Sequence, residues 1–394
     1  MKNLFKINND DLKFINKNYL KSRIFVLITF FMAAILISKL TNESLHSYFY
    51  NHKFFDVEHY SNIAKNGYTE NYLYAFFPLF PLVMRIFYNF KIMILGTIMF
   101  NLLLGYFSTI LIYKILDLYN YNDFNKRSLL KLWFYSPITL FIIIPYTEGL
   151  FIFLTLLAFY MYITKKNYFI NGIIIGLSVL TRSFGAMLFF AIFIDWIIKV
   201  FKEKRDLKSE FKNICLMYIP ATIISLLYPV YLYIKTGNLF YFIDVQYIYW
   251  FREKSNFIKA LYIEFDMLFK STDAILIMLK ILNICLLLFS IYLIIKVIFS
   301  FIKNKQKGYI TLIVYVILCF ISAFSTMRSD GINFPTCSIY RYFLGMFPIY
   351  LMDINLNEND IFANTLILLF KVFNVIVVTA FAFDIFFAFD IFLC

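Results

Sequence analysis

Charged side chains are scarce in this chain, and that scarcity is the first thing to exclude a reading. Lys, Arg, Asp and Glu make up 15% of 394 residues, where soluble domains carry about 25%. A soluble fold of this length could not cover its core with so little polar surface. Histidine is scarcer still, three in all, and the five cysteines (Cys215, Cys285, Cys319, Cys337 and Cys394) show no paired spacing. That leaves neither a metal finger nor a redox pair. Four of the cysteines lie in or beside apolar runs and read as small core residues; Cys337 falls in a loop. No internal repeat, Gly/Ser linker or soluble domain is visible, so 1–394 reads as one membrane domain. The basic segment 1–21 is followed by an apolar run without a small-residue cleavage site, so it reads as a retained cytoplasmic segment rather than a signal peptide.

What is abundant is apolar: 62% of the residues, with a mean hydropathy of +0.74. The 51 Phe and 31 Tyr look like the skew of an AT-rich coding sequence, so no site is drawn from an aromatic stripe alone. The net charge of +13 does not point to nucleic acid, because the Lys and Arg fall in short clusters between apolar runs. The class is an all-α polytopic integral membrane protein.

A membrane helix needs about 20 mostly apolar residues. Runs at 22–40, 92–116, 214–234, 275–300, 309–326 and 364–392 meet that requirement. Two longer runs, 132–164 and 168–200, are interrupted at Pro145–Gly149 and at Thr181-Arg182-Ser183, and each reads as a pair of short helices. A short span is expected over 341–352, for about eleven in total. With the N-terminus cytoplasmic, every dense basic cluster (Lys126-Arg127, Lys165-Lys166, Lys199 to Lys212, Lys303 to Lys307) lands on one side. The opposite loops, 41–91, 235–274 and 327–340, mix both signs.

Eight ionisable residues map to that opposite face or its boundary: Asp56, Glu58, His59, Glu148, Arg182, Arg328, Asp330 and Arg341. His46, His52 and His59 all lie in the first loop there. Spans nearly free of charge favour surface chemistry over conduction. Drawn as a helix, 56–65 places Val57, Tyr60, Ile63 and Ala64 on one apolar face and points Glu58 and Lys65 away. Asp56 shares the apolar face, with His59 beside it. Desolvation there would raise its pKa toward the range of a general base; the competing reading is a helix N-cap. His59 one turn later is also half a metal site, without a companion motif. Pro78 and Pro81 forbid a plain helix through the aromatic run that follows, which reads as a loop in the headgroup layer. Arg182 and Arg341 read either as snorkelling side chains or as phosphate ligands, since a guanidinium fork suits that group. Glu148 reads equally as an acceptor contact or a plain loop residue.

Phe55-Asp56-Val57-Glu58-His59-Tyr60, Ile63-Ala64, Gly67-Tyr68 and Ala75-Phe76-Phe77-Pro78 through Phe80-Pro81-Leu82 together resemble the first luminal loop of GPI mannosyltransferase II, the PIG-V family. Three further segments follow in that family's order. Ser136-Pro137 through Tyr146-Thr147-Glu148-Gly149-Leu150-Phe151 resembles its SPxxxFxxxxYSEaLF stretch, and Arg182-Ser183-Phe184-Gly185 its RSNG. Arg341-Tyr342-Phe343-Leu344-Gly345, with Pro348 and Tyr350, resembles its RFLxSSxPxxYW segment. The chain departs from the pattern at Phe55 (commonly Trp), Leu79 (Gly) and Phe184 (Asn).

The resemblance implies a GT-C type glycosyltransferase, multi-pass in the endoplasmic reticulum membrane, with its site on the luminal face in the loop 41–91. It implies transfer of mannose from dolichyl-phosphate-mannose to a one-mannose GPI precursor glycolipid, α1,6-linked and with inversion. Asp56 would be the base and His59 its orienting neighbour, with Arg182 and Arg341 on the donor phosphate. Glu148, Glu58 and Tyr68 would contact the acceptor. No cofactor and no metal are expected, and the partners are the two lipid substrates, the bilayer and an accessory membrane subunit. Two alternatives stay open: a dolichyl-phosphate-mannose-dependent transferase with another acceptor, and a non-catalytic subunit or lipid transporter on the same scaffold. Asn42-Glu43-Ser44 is a sequon expected to be unused because it lies against the first span.

Overall fold

The structure, a computed structural model, describes residues 7–42, 44–45, 55–202, 207–330, 334–353 and 361–387. His46, His52, Cys394 and Glu43 of the sequon lie outside the described residues. Within them are sixteen α-helices, two short 3-10 turns and one two-stranded β pair. This is an all-α, multi-pass membrane protein.

The first helix, α1 (Asn9–Thr41), shows how the chain solves its solvent problem. The Asn8 side chain accepts from the Asp11 amide at 2.7 Å, and Asp10 and Asp11 occupy the first turn, where a helix favours negative charge. One face buries Ile15, Val26, Phe30, Ala34 and Ile37 while the other exposes Ile24, Leu27, Ile28, Phe31 and Ile35. In water each exposed apolar stripe would cost about 25 cal/mol per Å²; in hydrocarbon it costs nothing. Four more helices are long and apolar enough to cross a membrane: α4 (Met93–Leu118), α10 (Leu207–Thr236), α13 (Ala274–Asn304) and α16 (Ile361–Phe387).

Both interrupted runs break where expected, but the first breaks again at 135–138, so a five-residue helix stands in place of one arm of the expected pair. The first gives α5 (Asp123–Phe134), α6 (Thr139–Ile143) and α7 (Glu148–Ile163); the second gives α8 (Tyr168–Thr181) and α9 (Gly185–Lys202). Carbonyls freed at the first break are recovered by one side chain: Asn101 Nδ2 donates to Ile144 O (2.7 Å) and Tyr146 O (3.0 Å). The tightest helix pair is α8 on α10. A Cβ at Gly172 would lie 2.0 Å from the Met217 carbonyl oxygen, so only glycine admits this approach.

Two expectations need correction. Residues 79–89 are not a loop but a helix, α3 (Leu79–Asn89), packed beside α2 (Asp56–Asn66). Pro78 precedes it and Pro81 falls in its first turn, where no amide has an intrahelical acceptor to lose. The expected span over 341–352 is no continuous helix. It consists of the six-residue α15 (Ile339–Leu344) and a 3-10 turn at Phe347–Leu351 around Pro348. Its residues are buried apart from a half-buried Tyr342, which is how irregular backbone survives at membrane depth.

Helices α11 (Tyr241–Ile248), α12 (Phe257–Lys270) and α14 (Tyr309–Phe324) complete the bundle. Strand β1 (Arg252–Lys254) pairs antiparallel with β2 (Thr326–Arg328), register Arg252 to Arg328, and joins the two connecting segments at one end. At the other end Asp353 accepts from Asn304 Nδ2 at 2.7 Å, at the foot of α13.

Candidate active site

Four charged side chains from four separate stretches of sequence meet in one cluster. Asp56 comes from the first residue of α2, Glu148 from the first of α7, Arg182 from the residue closing α8, and Arg341 from α15. Arg341 is the hub: its Nη2 lies 3.6 Å from Asp56 Oδ2 and its Nε 3.3 Å from Glu148 Oε1. Arg182 Nη1 reaches the same Glu148 oxygen at 2.5 Å and Thr147 Oγ1 at 3.2 Å. The two arginines and two carboxylates balance, which allows side chains exposed by only 3% (Arg341) and 4% (Glu148) to stay charged. Aromatic faces line the guanidinium groups: Phe141, Tyr146 and Tyr342 around Arg341, and Tyr342 beside Arg182 at 5.0 Å.

Each member is delivered by a local device. Glu148 follows the break that Asn101 ties down. Arg182 leaves α8 in extended backbone, and Gly185 lets the next helix turn back against Ser178. Arg341 is held from both sides. Ahead of it, Thr336 donates from its amide (3.0 Å) and hydroxyl (2.8 Å) to the buried Glu264 of α12, whose other oxygen accepts from Asn283. Behind it, the Tyr350 hydroxyl donates to Leu344 O at 2.7 Å and meets Ser136 Oγ. Phe55, at φ +47°, turns the chain sharply into α2, a conformation bulky residues avoid.

Asp56 is not the cap of its helix. Phe55 holds that position and no side-chain cap bond forms; the carboxylate faces Arg341 instead, one-fifth exposed. The amphipathic reading of α2 holds, with Val57, Tyr60, Ile63 and Ala64 buried and Glu58 and Lys65 exposed. Burial pushes the Asp56 carboxyl above its ordinary 3.8; the charges of Arg341 and His59 pull it back and that of Glu148 pushes it further up.

His59 sits in an aromatic box of Phe76 (5.0 Å), Trp250 (5.4 Å) and Tyr72 (5.6 Å), half-buried between Asp56 and the outside. Trp250 Nε1 donates to Tyr72 O and closes the box. Among the described residues no three His, Cys, Asp or Glu side chains gather as a metal site. No protein-family model matches the chain, and no curated protein matches it. Tyr68 and Glu58 do not join the cluster. Tyr68 donates to Phe76 O at 2.7 Å and stacks on Tyr74 in a separate apolar cluster; Glu58 borders an outer groove with Ser61, Asn62 and Lys65.

Asn101, Thr147, Trp250 and Glu264 take part in the site without having been expected there. Asn101 had a signal: it is the one amide in the apolar run 92–116. Glu264 had none, being one charge among many in 235–274.

Proposed function

We propose that this chain is a GT-C type mannosyltransferase of GPI-anchor synthesis, with its site on the luminal face of the endoplasmic reticulum membrane. In this reading it moves mannose from dolichyl-phosphate-mannose to a one-mannose GPI precursor. The observation that carries the proposal is the meeting of Asp56, Glu148, Arg182 and Arg341, one from each of the four collinear segments that resemble the family.

The chemistry is a single displacement. The acceptor 6-hydroxyl oxygen bonds to C1 of mannose, its proton passes to Asp56, and the C1–O bond to phosphate breaks with its electron pair leaving on the lipid phosphate. Inversion converts the β-linked donor into an α-linked product. A base with a raised pKa is suited to the task, and it needs hydrogen-bond reach of about 3 Å to the hydroxyl. Negative charge develops on the departing phosphate, where fixed cations contribute most. Arg341 Nη1 makes no hydrogen bond within the protein, and Arg182 is the more exposed guanidinium at 17%. Both therefore retain donor capacity beyond Glu148. Glu148 Oε1 orients the two arginines, while its Oε2 makes no hydrogen bond within the protein and is the oxygen left for an acceptor hydroxyl. His59 and its aromatic box flank Asp56 on the side where a sugar ring would stack.

Cells lacking the second GPI mannosyltransferase accumulate the one-mannose lipid, and complementation with mass spectrometry of that lipid tests the proposal. Wild-type chain is expected to convert it onward and Asp56→Asn to leave it. A well-expressed wild-type chain that leaves it untouched removes the acceptor assignment. A different lengthened lipid-linked glycan in those cells would instead identify another acceptor.

A further inference from the structure

At the basic end of the bundle, away from the ion cluster, a half-enclosed cavity of about 640 Å³ opens between the α7–α8 turn, the α9 and α10 helices and the α13–α14 turn. Lys165, Lys199, Lys305 and Lys307 line it from three of these elements, with Glu210 as the one acidic side chain on its wall. The lysines are not equivalent. Lys199 is neutralised by Asp195, which is fully buried and also accepts from Tyr162 (2.6 Å) and Thr311 (2.8 Å). The ammonium groups of Lys165, Lys305 and Lys307 are exposed and have no carboxylate partner among the described residues.

The geometry of the wall is built rather than loose. Lys165 (φ +50°) and Lys305 (φ +43°) both adopt left-handed backbone at the ends of α7 and α13, a conformation uncommon for lysine. Gly308, also left-handed, packs so closely that a Cβ would lie 2.7 Å from Ile163, locking the two turns together. Helix α14 begins at this wall without a side-chain cap, leaving amide donors at its positive end. The Trp196 indole N–H on the same wall is buried and makes no hydrogen bond. Uncompensated cations, the positive end of an uncapped helix and a buried indole donor suit one chemical class.

We propose that this cavity binds a phosphate-bearing anion, either the phosphorylated headgroup of a membrane lipid or a soluble phosphorylated molecule. The site stands apart from the ion cluster and does not depend on the transfer reaction. Native mass spectrometry on the purified full chain provides the test. Dioctanoyl phosphatidylinositol 4-phosphate, dioctanoyl phosphatidylcholine and inorganic pyrophosphate would each be titrated. A phosphorylated probe is expected to bind at one site at least about ten-fold more tightly than phosphatidylcholine, since three lysines act together on its extra negative charge. The triple variant Lys165→Gln, Lys305→Gln, Lys307→Gln should lose that preference with an unchanged melting temperature. Lys305→Gln alone should weaken binding several-fold, and Lys17→Gln with Lys21→Gln should not. Preference for the lipid identifies a headgroup; equal competition by pyrophosphate identifies a soluble ligand. Binding of neither probe, or equal loss in the Lys17/Lys21 control, overturns the site and leaves the lysines as determinants of sidedness only.

Discussion

Glu148 is held between two guanidinium groups with almost no access to solvent, and the arrangement works only while all three charges are present. Glu148→Gln removes the counter-charge of both arginines at once. Breaking a buried pair costs about 3–5 kcal/mol, so the melting temperature in detergent should fall sharply; an unchanged value would mean the cluster is solvated. Asp56 behaves differently because it is raised, not lowered. As the proposed base it would act ionised, so transfer should rise with pH through a carboxyl pKa above the ordinary 3.8, and the acid limb of kcat/KM should lie above that value. The same shift makes the folded chain hold this proton more tightly than the unfolded one. Its contribution to stability is therefore present below 3.8 and is lost as pH rises through the folded value. A rate profile flat down to pH 4 would contradict the assignment. Asp56, Arg182 and Arg341 were legible in the sequence because ionisable residues are so rare beside its apolar runs. Glu264 was not, since its partner Thr336 lies 72 residues further on and only folding joins them.

At the scale of elements, the break before α7 is what brings Glu148 to the cluster, and Asn101 is what holds the break. Asn101→Ala strands the Tyr146 carbonyl and leaves Ile144 O only the Tyr146 amide; two lost hydrogen bonds should cost roughly 2 kcal/mol and lower transfer with it. Full activity with full stability in that variant would show that the break holds itself. Both helix breaks could be read from Pro145 and Arg182, because a proline and a charge are conspicuous in apolar runs. The short span at 341–352 could not. Hydropathy sees its apolar residues but not that Gly345 and Pro348 divide it, nor that neighbouring helices bury its backbone. Helix α3 was missed for the converse reason. A proline forbids a helix interior but not a first turn, and the sequence does not say where the helix begins.

The whole molecule is a bundle with two unlike ends, the ion cluster at one and most of the lysines at the other. Positive charge marks the cytoplasmic side, so the loop carrying α2 and α3 should be protected from protease in sealed microsomes and cut once they are opened. Cutting in the sealed state would reverse the orientation. The central claim is that Asp56 takes a proton while the arginines hold a departing lipid phosphate. Its most direct test is transfer by purified chain supplied with dolichyl-phosphate-mannose and the one-mannose acceptor, with the product's linkage and anomer determined. The expected result is an α1,6-linked second mannose from wild type and at least a 100-fold loss in a folded Asp56→Asn variant, in line with what a general base contributes, roughly 10²–10⁴-fold. Retained turnover by that variant, or a β-linked product, would contradict it.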